Sequence, residues 1–351
     1  MWRWIALLSL AGCAQAQMVV PDDLVTTMHT LRTQAGKREE SRDAYELLTT
    51  AKHQLRDWIE VQLSKFDATG DAAVLAHDLN EALRGLMCSF GDLPGAPACP
   101  EDNWLGYLAR VRLERVGLEL IVETSIGIQC GFDDSAYLFS WPDGKWVRRW
   151  ESEQNDYSTE KYKPQNLEAV RVGGSDGGDG QLLLTVGTQP WCSSNWRGIY
   201  VRVWRLRAGI APQLILNESD YGFVADEVEG SVGPGAALVE YSVISLDKGV
   251  LIRRTPRAFQ IRGDRVERVA PFALSPRGFV DEWVARDWKE AAGWSGRTLV
   301  TLHRELHSDS PNGEFVGDTL HCPKAPDLWQ VGVDMGGQHL FSGSLEASLS
   351  V

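Results

Sequence analysis

The triplet His303-x-Glu305-x-His307 is the first place where residue types and spacing could do chemistry. On a strand its three side chains share one face, with Leu302, Arg304 and Leu306 on the other. Two imidazoles and a carboxylate on one face make a ligand set for zinc. A plain solvated strand face gives the same pattern without any function. The triplet is not the His-Glu-x-x-His signature of metalloproteases, whose histidines lie one helical turn apart. His321 beside Cys322 supplies no ligand spacing either.

Carboxylates are the second resource. Asp133, Asp134, Asp156, Asp226 and Glu227 read as loop acids, and two of them about 5–9 Å apart in a cleft would suit glycoside hydrolysis. Ser175-Asp176-Gly177-Gly178-Asp179-Gly180 has the look of a calcium loop. It lacks the further oxygen ligands and the distal glutamate, and a hairpin tip accounts for it. Tryptophan is the compositional outlier, with 14 copies. Trp191 and Trp196 flank Cys192, with Asn195 and Arg197 beside them. Such residues form a platform for sugars or peptides, or a strut beside a disulfide. There is no Gly-x-Ser-x-Gly elbow, phosphate loop or dinucleotide fingerprint, and no cofactor is expected.

The chain holds six cysteines. Cys88 and Cys99 flank a Pro/Gly-rich loop and make the first choice of disulfide, worth about 2–3 kcal/mol by loop closure. Cys130 and Cys192 make the second, with Cys322 left over or replacing one of them. Spacing alone does not choose among the connectivities.

The compartment that permits disulfides is also written at the start. Arg3 precedes a short apolar run, Trp4 to Leu10, and then small residues follow, as in a secretory signal over 1–17. Leu10-Ala11-Gly12-Cys13 resembles a bacterial lipobox, which would put lipid on Cys13. Ala14-Gln15-Ala16 instead fits ordinary cleavage before Gln17. The expected location is therefore an outer-membrane lipoprotein or the periplasm. The net charge of −13 is spread along the chain and argues against a nucleic-acid partner. A membrane would be met only through the N-terminal lipid, and the partner expected is a glycan or another envelope protein.

These residues need a scaffold, and the periodicity changes along the chain. Over 18–90 the spacing is helical, with Ala44, Leu48, Ala51, Leu55, Trp58, Ile59 and Phe66 on one stripe. Asp71 is placed to cap a following helix through Leu75, Leu79 and Leu83. Residues 91–104 are a Pro/Gly linker. Over 105–275 the period is two, and Pro142-Asp143-Gly144 sits between aromatic arms as a hairpin turn. Residues 276–351 read as one amphipathic helix, Phe279 to Ala291, and further strands.

The strand region repeats itself. Leu120 precedes Cys130 by ten residues, as Leu182 precedes Cys192, and Tyr137-x-x-x-Trp141 is matched by Tyr200-x-x-x-Trp204. A third copy runs through Leu238, Tyr241, Phe259 and Ile261. The units resemble β-propeller blades in length and in strand-after-strand order. Three copies are too few to close a ring, so Cys322 with Trp329-x-x-x-Val333 is a candidate fourth. The expected fold is mainly β, built of repeated antiparallel meanders in a propeller-like or sandwich arrangement, with an N-terminal helical segment. The expected function is that of an exported structural or binding protein without chemistry. The alternatives are a glycan-active hydrolase, or a metal-binding protein using His303, Glu305 and His307.

Overall fold

A helical stripe followed by alternating strands is the order observed. The computed structural model describes residues 18–34, 42–88, 98, 105–128, 131–155, 157, 165–175, 180–190, 194–223, 228–247, 250–269, 275–295, 299–309, 314–321, 323 and 329–334. They fall into two compact units, Met1–Gly127 with Ser140–Val147, and Ile128–Phe139 with Arg148–Val351.

In the first unit, α1 (Asp22–Gln34) buries Leu24, Met28 and Leu31, the three- and four-residue spacing of one helix face. Helix α2 (Arg42–Leu63) buries the expected stripe from Ala44 to Ile59 but ends before Phe66, which lies half-buried in the following turn. The Asp71 carboxylate accepts the Ala73 N–H at 2.8 Å and starts α3 (Ala72–Ala82), which leads to a 3₁₀ turn (Arg84–Leu86). Strands β1 (Leu108–Val116) and β2 (Glu119–Ile128) form a hairpin around Gly117-Leu118. Gly117 takes φ +62°, a value that only glycine adopts cheaply. The Asn80 amide ties α3 to β1 by accepting from Val111 N (3.1 Å) and donating to Val111 O (2.8 Å).

The second unit holds most of β3 (Gly131–Ser140) and β4 (Val147–Ser152). Its largest part is an open eight-stranded antiparallel sheet in the order β12-β11-β10-β8-β7-β6-β5, with β9 also on β10. The strands are β5 (Asn166–Ser175), β6 (Gln181–Thr188), β7 (Trp196–Leu206), β8 (Gln213–Phe223), β9 (Glu229–Gly233), β10 (Ala236–Asp247), β11 (Val250–Arg262) and β12 (Arg265–Arg268). Two meanders, β5 to β8 and β9 to β12, are visible in that order. They are not separate blades, because β10 pairs with β8 at Ser242↔Phe223. One face carries the core, including Leu182, Leu184, Val186, Ile199, Val201, Val203, Val239, Tyr241, Phe259 and Ile261.

The aromatic repeat breaks on this sheet. Phe259 lies in the core, whereas Tyr200 sits between the core residues Ile199 and Val201 and therefore faces the other side. Trp204 shares that other side, half-buried and edge-on to Trp150 of β4 at 6.1 Å. The strand order recurs between the meanders, but the packing of the aromatics does not.

The C-terminal helix is α4 (Pro276–Ala285), capped by the Ser275 hydroxyl, which accepts from Gly278 N at 3.1 Å. It stops at extended Arg286. The Asp287 carboxylate accepts the Glu290 N–H at 2.9 Å and opens α5 (Trp288–Ala291). A third helix, α6 (Val300–Asp309), replaces the strand expected through His303 and His307. Leu299, Leu302 and Leu306 pack on one cluster with Trp283 and Val284. That spacing of three and four outweighs the short His/Glu/His alternation. Strands β13 (Glu314–His321) and β14 (Trp329–Asp334) pair antiparallel, and Val331 and Val333 join the same cluster.

Candidate functional site

The helical geometry of α6 disperses the expected metal triplet. His303 and His307 are one turn apart with stacked rings, 5.5 Å between centroids. Glu305 lies exposed, about 160° round the helix from either histidine. No group of three or more metal-type side chains gathers among the described residues. Both imidazoles instead serve the end of α4. His303 Nε2 lies 2.9 Å from Trp283 O and His307 Nδ1 lies 2.8 Å from Val284 O. These carbonyls belong to the last turn of α4, whose final carbonyls lack intrahelical partners. Burial against Trp283 and Trp288 lowers the pKa of His303, partly offset by its bond to Trp283 O.

Asp133 and Asp134 are not loop acids. Both are buried in β3, and they hold the chain that leads into β5. Asp133 accepts from Tyr157 Oη and from Gln165 N (3.1 Å), and Asp134 accepts from Leu167 N at 2.7 Å. Carboxylates committed in this way to backbone N–H groups are joints of the fold. Trp196 lies within β7, half-buried and edge-on to Phe223 at 5.2 Å, rather than on an open platform. Cys88 is buried and disulfide-bonded. Cys13, Cys99, Cys130, Cys192, Cys322, Trp191, Asp156, Asp226, Glu227 and the glycine-rich loop 176–179 lie outside the described residues.

The strongest candidate site was not anticipated. Inward-facing positions of the eight-stranded sheet turn from apolar to charged near its β11–β12 edge. Along β8 the parity of buried Leu216 continues through Glu218 and Asp220. Along β11 the parity of Phe259 gives Arg257, paired in register with Val239. These residues meet Arg268 of β12 and the break between α4 and α5 around a cleft of about 500 Å³. The guanidinium side chains of Arg257, Arg286 and Arg268 are only 3%, 6% and 9% exposed.

Asp220 is the hub of this cluster. Its Oδ2 accepts from Arg257 Nη2 at 2.9 Å, Arg286 Nη1 at 2.5 Å and the Tyr241 hydroxyl. Burial pushes the Tyr241 phenol well above its usual range, against the pull of Arg257. Arg268 pairs with Glu282 of α4 and Glu290 of α5, and its guanidinium lies 4.8 Å from the Trp294 ring. Burial, followed by the nearby Arg257, lowers the pKa of Arg268. The Nε atoms of Arg257 and Arg286 are buried and have no hydrogen-bond partner among the described residues. Lys289 is exposed at the mouth. Sequence offered one signal for this site, which is charge at inward strand positions. Alternation is normally scored only for its apolar members, so the signal is easily passed over.

Fold and site together define a mainly β protein with a charged cleft at the rim of an open sheet. No family model matches the chain, and no curated protein matches it. Similarities to solved structures are weak, and they include two arabinofuranosidases. One is the α-L-arabinofuranosidase of Podospora anserina in complex with cellotriose. It shows 10% identity and a TM-score of 0.18, over 55% of this chain and 73% of that one. The other is the catalytic domain of a Coprinopsis cinerea GH62 α-L-arabinofuranosidase. It shows 11% identity and a TM-score of 0.17, over 46% of this chain and 69% of that one. Scores this low carry no argument about this chain.

Proposed function

We propose that the protein is an exported, lipid-anchored binding protein of the cell envelope that holds a small polar ligand in the Asp220 cleft without transforming it. One observation carries the reading. The cleft has the size of a small-molecule site, yet three of its four acids are committed to neighbours, leaving Glu218 alone: three donors converge on Asp220 Oδ2, Arg268 holds Glu290, and Asp287 caps α5. Glycoside hydrolysis, the catalytic alternative, asks for two carboxyls standing free on opposite sides of a bond. A rigid network of charges is suited to recognition instead.

A thermal-shift screen of the full mature chain with sugars, organic acids, amino acids and inorganic phosphate tests the proposal. A ligand that binds only the folded state raises the Tm in proportion to its affinity. At least one member of the screen is expected to do so, and Lys289→Glu at the cleft mouth is expected to diminish the shift. No shift with any ligand overturns the binding reading, as does a shift untouched by Lys289→Glu. Conversion of the bound ligand, followed by chromatography, overturns the non-catalytic part.

A further inference from the structure

We infer that the ligand of this cleft is a zwitterion, a free amino acid or a short peptide recognised at both charged ends. The inference rests on the binding reading above and deepens it. It begins from charge. The three arginines and Lys289 face four carboxylates, Glu218, Asp220, Asp287 and Glu290, around a single space of about 500 Å³. A lining that carries four charges of each sign gives no net pull on a simple anion or a simple cation. It complements a molecule that carries both signs a few ångströms apart.

Each end has somewhere to go. The Nη groups of Arg257 and Arg286 already hold Asp220, while the Nε of each is buried and has no partner among the described residues. A buried N–H of a charged group left without an acceptor is unfavourable, and an incoming carboxylate supplies two acceptor oxygens. For the ammonium end, the Glu218 carboxylate is 37% exposed and lies 3.8 Å from Arg257 Nη1, beyond hydrogen-bond reach. It therefore retains acceptor capacity beside the carboxylate subsite. Competing classes fit less well. The described residues lining the cleft include no aromatic ring, so among them a neutral sugar lacks the stacking face such ligands use. Phosphate would leave Glu218 and Asp220 facing an anion.

The test uses the full mature chain and isothermal titration. L-amino acids are titrated singly, and then dialanine. The tightest binder is followed by its N-acetyl form, which lacks the ammonium, and its C-terminal amide, which lacks the carboxylate. The expected result is binding of the zwitterion, with a loss of about tenfold or more for each blocked form, the effect of removing one charge-assisted contact. Glu218→Gln is expected to weaken the zwitterion while leaving the N-acetyl form unchanged. Arg257→Lys, which keeps the charge but removes Nε, is expected to weaken the C-terminal amide least. If the N-acetyl form or inorganic phosphate binds as tightly as the zwitterion, the site is an anion site and the inference falls while the binding reading stands. If glucose binds and amino acids do not, the outcome is the same. If none of these probes binds, the inference and the binding reading fall together.

Discussion

His303 shows how one side chain can be read two ways. In sequence it is one of three candidate metal ligands, and in the fold it is a donor to a helix end. The difference has a measurable consequence. Its pKa is lowered by burial in the folded protein, while in the unfolded chain it titrates near about pH 6.5. Between those values the unfolded state binds more protons, so stability rises with pH. The stabilisation is complete above about pH 6.5 and is lost as the pH falls through the lower, folded value. The neighbours that modulate it are His307, which lowers the pKa further, and Asp287, which raises it. Urea unfolding between about pH 7.5 and 5.5 is expected to show declining stability, and His303→Gln is expected to flatten that slope. An unchanged slope in the variant removes His303 from the account. Zinc is expected to leave the unfolding midpoint where it is, because the fold places Glu305 away from both rings.

At the scale of elements, legibility followed the range of the interactions. The stripe of α2, the Asp71 cap and the turn at Pro142-Asp143-Gly144 are local, and the structure has each where the sequence put it. The turn residues Asp143 and Gly144 take φ +54° and +78°, as a tight hairpin requires. The α4–α5 break was missed because Asp287 competes with the preceding helix for the chain, a contest that periodicity does not score. The cleft was missed because β8, β11, β12 and the α4–α5 break are brought together only by sheet order. Arg286 and Asp220 are 66 positions apart.

The clasp that closes this assembly makes the element-scale prediction. Arg268 of β12 holds Glu282 of α4, with the two side chains 9% and 2% exposed. Removing Glu282 leaves the buried Arg268 with only its more exposed partner Glu290, so Glu282→Ala is expected to cost up to about 3–5 kcal/mol in chemical denaturation. The exposed pair Arg254–Glu240 makes the control, and Glu240→Ala is expected to cost no more than about 1 kcal/mol. Equal costs for the two would mean that the Arg268 pair does not hold α4 to the sheet edge.

At the scale of the whole molecule the question is how an acidic protein would stay at a membrane. Among the described residues no helix is long and apolar enough to span a bilayer. The net charge of −13 opposes electrostatic attachment to anionic lipid. Lipid on Cys13 would resolve this without help from the folded surface, since each buried methylene contributes about 0.8 kcal/mol and several chains anchor stably where one does not. The tether would be short. The Trp58 indole N–H holds Val19 O at 2.9 Å, and the six residues from Cys13 to Val19 reach at most roughly 20 Å. Attachment of this kind has a distinct signature in fractionation. High salt is expected to leave the protein in the membrane pellet, because screening removes only charge-based contacts, whereas detergent is expected to release it. Cys13→Ala is expected to move the chain to the soluble fraction. Mass spectrometry of the mature N-terminus decides the chemistry directly: an acylated cysteine supports the anchor, and an unmodified chain beginning at Gln17 replaces it with a freely diffusing protein whose cleft faces the bulk phase.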